Sequence, residues 1–429
     1  MIQSLLLLFV FAAPPSRQAT MGMEMCVKLL RLPRIALLLT AMLMLVLAAG
    51  SCLGQTAADR QRQSAMALEQ QGQNAEAEVA WRTFLKAEPG SSEAYAHLGF
   101  LEAQQKRYKE AVPLYRKALV LDPAMPGLRL NLGLSLFKGG ELNEAVQTFV
   151  PLLNSQPPSS ADAQRLTLLI GMGYYGQGKF AEAVPYLKKA TALDSQNLPF
   201  RLVLAHSCLG SKQYQCVLDV YHEILTLNAE SAEADMLAGE ALDAMKDHFG
   251  ATQQFRAAVK ANPKEPNVHF GLGYLLWSQN QYEEAAQEFQ AELANDPNDA
   301  GAIAYLADTD RQMNHPEAAR PLLEQAIRIA PGMELPHLDL GILDADAGHH
   351  DDALRELKTA AKLSPSDVEV HWRLARLYKA MGRNEEANVE FQKTSSLHKA
   401  AQATILEQLD RARAKGESAE RAEDSPSDK

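Results

Sequence analysis

A repeat of 34 residues constrains this chain more than any other feature. Ala65, Gly99 and Gly133 stand 34 apart; Gly171 follows after 38, and Ala205, Gly239, Gly273, Ala307, Gly341 and Ala375 then follow at 34 each. Ten units begin at 58, 92, 126, 164, 198, 232, 266, 300, 334 and 368. Twelve residues after each small residue lie Ala77, Ala111, Ala145, Ala183, Val217, Ala251, Ala285, Ala319, Ala353 and Ala387. Four further on lie Trp81, Tyr115, Phe149, Leu187, Tyr221, Phe255, Phe289, Leu323, Leu357 and Phe391, all large and apolar. Seven units close on a proline: Pro89, Pro123, Pro157, Pro263, Pro297, Pro331 and Pro365. Self-similarity of this kind decides the architecture before any local reading does.

Each unit reads as two helices of ~12–14 residues with an apolar stripe at 3.6 spacing. The small residues sit where the two helices cross, and the large residue fills the gap to the next hairpin. Proline cannot continue a helix and fixes the turn. A single hairpin cannot bury its stripe, so the units must stack. The expected fold is therefore all-α, a run of antiparallel hairpins. With 47% hydrophobic and 22% charged residues, global disorder is excluded.

The run Tyr274 … Tyr282-Glu283-Glu284-Ala285 … Phe289 … Asp296-Pro297 resembles the tetratricopeptide repeat family, and the resemblance covers residues 58–401. It implies a right-handed superhelical solenoid whose concave face grips partner segments. It does not imply which partner, because the family serves many unrelated complexes. The chain departs from the family in the fourth position of each unit, where tryptophan is usual. Gln61, Tyr95, Arg129, Thr167, Arg201, Asp235, His269, Ile303, His337 and His371 stand there instead, and looser neighbour packing is expected. The 38-residue interval places an insertion at 160–163. It predicts a longer connection near Pro157-Pro158 and a division between units 1–3 (58–159) and units 4–10 (164–401). Residues 400–415 fit a capping helix, and 416–429 fit a disordered tail.

Lys28, Arg31 and Arg34 precede an apolar run from Ile35 to Gly50, which reads as an export signal within a leader of residues 1–52. A start at Met21, Met23 or Met25 would give a better-formed signal. Ala49-Gly50-Ser51-Cys52 resembles the lipobox of bacterial lipoproteins, which makes Cys52 a lipidation candidate; ordinary cleavage after Gly50 and retention as an anchor are the alternatives. All three put the body outside the cytoplasm, in the periplasm or at the outer membrane. The net charge is −11, and without residues 1–52 it is −14. An acidic body repels phosphate backbones, so nucleic acid is not an expected partner.

In the family, the first helix of each hairpin lines the groove. On that face stand Leu130, Leu134, Phe137, Leu168, Met172, Tyr175, Leu202 and His206, then Glu240 and Asp243, then Phe270, Tyr274 and Trp277, then Asp308, Arg311, Asp339 and Asp346. An apolar floor alternating with acidic stretches fits a protein or peptide segment with large apolar anchors and some basic residues. Chaperone-binding members of the family clamp a terminal carboxylate with Lys, Arg and Asn. Only Asn131 and Lys138 are of that type here, so that clamp is not assembled.

The remaining chemistry is thin. His349-His350-Asp351-Asp352 looks metal-like, but His350 occupies a packing column held elsewhere by Tyr108, Phe180, Tyr214 and Tyr282. No metal and no cofactor are expected. Cys208 and Cys216 lie on two helices of one hairpin and could bond in an oxidising compartment. Against this, Cys216 occupies a column of solvent-facing Glu110, Glu144 and Glu182. No phosphate loop, nucleophile elbow or dinucleotide fingerprint is present. The expectation is a non-catalytic extracytoplasmic scaffold, or else a regulatory or substrate-presenting subunit of an envelope polymer-synthesis or secretion system.

Overall fold

The computed structural model describes residues 56–227 and 230–423; the leader, Cys52 and residues 424–429 lie outside the described residues. The described residues form twenty α-helices in consecutive antiparallel pairs, with no strand among them. They divide into two compact bodies, one ending at Leu227 and one beginning at Asn228.

The first body holds five hairpins: α1 (Ala57–Gln70) with α2 (Asn74–Ala87), α3 (Ser92–Gln104) with α4 (Tyr108–Leu121), α5 (Leu128–Lys138) with α6 (Leu142–Asn154), α7 (Ala161–Gly176) with α8 (Phe180–Leu193), and α9 (Leu198–Gly210) with α10 (Tyr214–Thr226). The second holds α11 (Ala232–Ala244) with α12 (His248–Ala261), α13 (Val268–Ser278) with α14 (Tyr282–Asn295), α15 (Ala300–Gln312) with α16 (Pro316–Ile329), α17 (Glu334–Asp346) with α18 (His350–Leu363), and α19 (Val368–Ala380) with α20 (Asn384–Glu423). Within each body every helix packs on the one before it and the one after it.

The repeated columns are the core. Trp81, Tyr115, Phe149 and Phe289 are fully buried, as are the alanines four residues before them. The small residues are small because these rings lie against them. A Cβ on Gly133 would stand 2.4 Å from the Phe149 ring, and one on Gly271 would stand 2.2 Å from Phe255. Neither distance is compatible with an unshifted side chain.

Each hairpin turn carries a left-handed residue: Gly72, Lys106, Gly140, Gly178, Lys212, Lys246, Asn280, Asn314, Gly348 and Gly382. The next residue returns a backbone hydrogen bond into the finished helix, as from Arg107 N–H to the Glu102 carbonyl at 2.9 Å. This is the Schellman end, which uses one αL residue to satisfy carbonyls the helix leaves open.

Gln61 and Arg129 at the fourth position are exposed, but the histidines there are firmly tied in. Nδ1 of His269, His337 and His371 lies 2.6, 2.7 and 2.6 Å from Glu288, Glu356 and Glu390 of the second helix of the same hairpin. Nε2 of His337 and His371 meets the Pro331 and Pro365 carbonyls at 3.3 and 3.0 Å. A polar side chain there ties both helices of a hairpin to the turn behind it, and burial makes that tie worth more than it would be in water.

Two expectations need correction, and one pairing that the sequence left open is present. The insertion does not divide the chain: the connection 155–160 is longer than 88–91 or 194–197, as expected, but α7 begins at Ala161, capped by the Ser160 hydroxyl, and packs directly on α6. The extra residues are taken up mainly as helix, while the division falls after Leu227. No separate capping helix follows the tenth hairpin. α20 is continuous from Asn384 to Glu423, into the segment expected to be disordered. Cys208 and Cys216 are bonded, with Cα atoms 5.8 Å apart. The tight turn at Ser211–Gln213 brings the end of α9 against the start of α10 at a separation a disulfide spans, and Cys216 is buried there, unlike the glutamates of its column.

Candidate functional site

In the first body half of the expected groove residues have closed into the core, while Leu130, Leu168, Tyr175 and His206 stay half-buried. Leu134, Phe137, Met172 and Leu202 are buried. The reason is local: Phe137 packs toward Phe149 with ring centroids 6.4 Å apart, and Gly173 of the next hairpin offers no side chain to hold the helices off. Leu130 stays half-buried and lines a cavity of about 310 Å³ with Leu152, Leu166, Arg129 and Arg165. Tyr175 is half-buried between Phe180 and His206, at 5.9 and 6.4 Å between ring centroids.

In the second body the aromatic residues of α13 reach the surface. Phe270, Tyr274 and Trp277 stack in sequence, with centroids 6.5 and 5.8 Å apart. Tyr305 of α15 meets all three edge-on at 5.7, 5.4 and 5.1 Å. Edge-on contacts of this kind suit the ring quadrupoles and hold the cluster rigid. Tyr274 is 39% exposed, while burial pushes the Tyr305 hydroxyl up to about 12. Beside the cluster opens a cavity of about 340 Å³ lined by Met236, Glu240, Asp243, Phe255, Phe270 and Tyr274. Asp243 holds His248 at 2.7 Å. Acidic and aromatic residues expected to share a face therefore share one cavity.

Asp308 and Asp339 were expected to face the groove and do not: each is 1% exposed. Asp308 Oδ2 accepts the Trp277 indole N–H at 2.6 Å, and Asp308 Oδ1 accepts from the Arg311 guanidinium. Arg311 Nε also lies 2.8 Å from Asp339 Oδ1, but its N–H is not aimed there, and neither Asp339 oxygen accepts a well-aligned bond. Burial, and then the neighbouring Asp308, hold the Asp339 carboxyl well above the usual carboxylate range. This group supports the aromatic cluster from below and offers no charge to a partner.

Two features escaped the sequence reading. Tyr305 is the only Phe, Tyr or Trp at the sixth position of any unit, a signal that was present. Trp372 and Arg376 occupy in the tenth unit the positions of Phe270 and Tyr274 in the seventh.

Models described as tetratricopeptide repeat match residues 62–126 and 236–300, 102–169 and 344–409, and 166–197, together more than half of the chain. This chain belongs to the tetratricopeptide repeat family. It is similar to anaphase-promoting complex subunit 3 of Schizosaccharomyces pombe, 20% identical over 295 residues, 68% of this chain and 43% of that protein. It is also similar to cellulose synthase operon protein C of Xanthomonas axonopodis pv. citri, 28% identical over 318 residues, 72% of this chain and 18% of that protein. The chain spans less than two thirds of the length of these relatives and of two similar DnaJ protein P58IPK homologs of Oryza sativa subsp. japonica. A solved structure titled as YrrB, a TPR protein with an unusual peptide-binding site, is 17% identical with a TM-score of 0.34, covering 41% of this chain and 91% of that one. Tetratricopeptide repeats support protein–protein interaction, and the site has to be read in that light.

Proposed function

We propose that this tetratricopeptide repeat protein is an extracytoplasmic scaffold or adaptor that binds a segment of a partner protein along the first helices of its second body, and does no chemistry of its own. The observation that carries the reading is the rigid cluster Phe270–Tyr274–Trp277–Tyr305, with an exposed Tyr274 beside an acidic cavity. A tyrosine held in place before binding loses little entropy on binding, which makes it an efficient anchor. Export is supported by the leader and by the Cys208–Cys216 bond, since such bonds persist in oxidising compartments. The test is affinity capture from native envelopes with the mature chain and its Tyr274→Ala variant. Loss of a defined partner with an unchanged circular-dichroism melt supports the reading; identical capture by both removes this face.

A second reading makes the protein a regulatory or substrate-presenting subunit of an envelope polymer-synthesis system. It is favoured by the 28% identity over 318 residues to cellulose synthase operon protein C. A synthase or glycosyltransferase gene next to this one would support it, and a partner unrelated to polymer synthesis would displace it.

A further inference from the structure

We infer that the binding face of the second body is electrically bipolar and takes an extended peptide with a basic end, an apolar middle and an acidic end, the basic end lying over α11 and α13 and the acidic end over α19. The inference rests on the scaffold reading above and specifies its partner. The first helices α11, α13, α15, α17 and α19 succeed one another along this face, each touching the next. At one end Glu240 and Asp243 line the cavity beside Tyr274. In the middle the charges close on themselves: Arg311, half-buried, lies between Asp308 and Asp339, both of them buried. Leu338 and Ile342 lie buried beneath the next stretch, and Ile342 borders a cavity beyond it.

At the other end the sign reverses. Trp372 carries the guanidinium of Arg373 at 5.0 Å and that of Arg376 at 4.7 Å from its ring centroid. Arg373 is matched by Glu369 at 2.7 Å. Arg376 and Lys379 are exposed and form no ion pair among the described residues. A cavity of about 140 Å³ here is lined by Ile342, Asp346, His350, Arg373, Arg376 and Leu377; with Arg373 matched by Glu369, the exposed cations Arg376 and Lys379 stand against the one carboxylate of Asp346. A cation held over an indole keeps its outward N–H groups for a carboxylate. The body is acidic overall, so this basic end runs against the general charge of the chain.

Length follows from the helix spacing. Neighbouring helices pack ~10 Å apart, so four steps from α11 to α19 span about 40 Å. An extended chain rises ~3.3 Å per residue, so about twelve residues cover the face. The aromatic anchor then falls about three residues in from the basic end.

The test uses the mature full-length chain and three fluorescein-labelled twelve-residue peptides that share a phenylalanine and a leucine in the middle. One has lysines at one end and glutamates at the other, one has lysines at both ends, and one has glutamates at both ends. Binding is read by anisotropy at low and high salt. The bipolar peptide is expected to bind about fivefold or more tightly than either of the others at low salt, with the gap narrowing at high salt. Glu240→Lys with Asp243→Lys should shift preference to the all-glutamate peptide, and Arg376→Glu with Lys379→Glu to the all-lysine peptide. Should a reversal unfold the chain, Glu240→Gln and Arg376→Gln serve instead and should erase the preference at their own end. Equal binding of all three peptides, abolished by Tyr274→Ala, overturns the polarity and leaves the groove reading standing. Binding indifferent to Tyr274→Ala overturns the groove reading, and no binding of any peptide overturns the proposal.

Discussion

Asp339→Asn should stabilise this protein at neutral pH, although it removes one partner of an apparent ion pair. Two buried carboxylates, Asp308 and Asp339, share one guanidinium. Asp308 takes the aligned donors, from Trp277 and Arg311. Asp339 is left without an aligned donor at 1% exposure, and its carboxyl is pushed well above 3.8 by burial and by Asp308. An acid whose folded-state value is raised contributes its stability below the unfolded value and loses it as pH rises through the folded value. The cost is therefore absent near pH 4 and grows toward neutrality. It has a ceiling, because the folded site takes up a proton instead of bearing any larger penalty. From the unfolded value to pH 7 is about three units, so the ceiling is about 4 kcal/mol. Asparagine removes the charge and keeps the shape, and should gain about 1–4 kcal/mol at pH 7 and nearly nothing at pH 4. Stacked repeats open locally, so the readout is native-state hydrogen exchange of the α15 and α17 amides at both pH values. Slower exchange at pH 7 with no change at pH 4 is expected. Faster exchange at both would show that Asp339 is held as a charged partner of Arg311, and the reasoning would fail.

Other consequences can be checked more briefly. Lys246→Gly, and likewise Lys106→Gly or Lys212→Gly, places the residue with no αL penalty at a left-handed turn; each should gain about 0.5–1 kcal/mol in denaturant melts. Gly133→Ala should cost about 1–3 kcal/mol, because its Cβ would meet the Phe149 ring at 2.4 Å. Cys208→Ser opens a short loop of sequence separation 8 and should cost about 2–3 kcal/mol in non-reducing buffer and far less under reductant, with mass spectrometry of the oxidised chain showing the bond directly. His371→Ala strands Glu390 and the Pro365 carbonyl and should cost about 1–3 kcal/mol, seen first as faster exchange in α19 and α20.

Much of the fold was legible because each sequence column is one contact. Ala285 and Gly273 mark where two helices cross, and Phe289 marks what fills the space beside them; their spacing located the hairpins. What the columns do not carry is torsion and depth. The left-handed turn position recurs in all ten hairpins, yet it is filled by glycine, lysine or asparagine, so no residue type announces it. The insertion before unit four could go into loop or helix, and Ser160 with Asp162 tipped it to helix by capping and charging the first turn. The Cys208–Cys216 bond depends on a Cα separation that neighbouring glutamates in the same column do not reveal. Asp308 and Asp339 were expected on the groove face; the sequence does not show that Trp277 and Arg311 draw Asp308 inward and leave Asp339 sealed behind it.

The same positions meet different fates in different units, and the side chains say why. In the first body the groove positions that close hold Leu134, Phe137 and Met172, which have no polar atom that needs satisfying, and Gly173 stands where a side chain would have kept neighbours apart. Nothing opposes closure, so these residues become core. In the second body the corresponding positions hold Tyr274 and Trp277, whose polar tips cannot be buried without a partner. Trp277 finds one in Asp308 and sinks to half-burial; Tyr274 stays outside at 39% exposure. A binding face survives in a stack of hairpins only where a large side chain carries a group that the protein itself leaves to solvent. By that logic Tyr274→Phe, which keeps the ring and removes the hydroxyl, should lower the exposure of position 274 by letting it settle toward Tyr305. It should weaken partner capture less than Tyr274→Ala but measurably, whereas capture equal to wild type would show that the ring alone is what the partner reads.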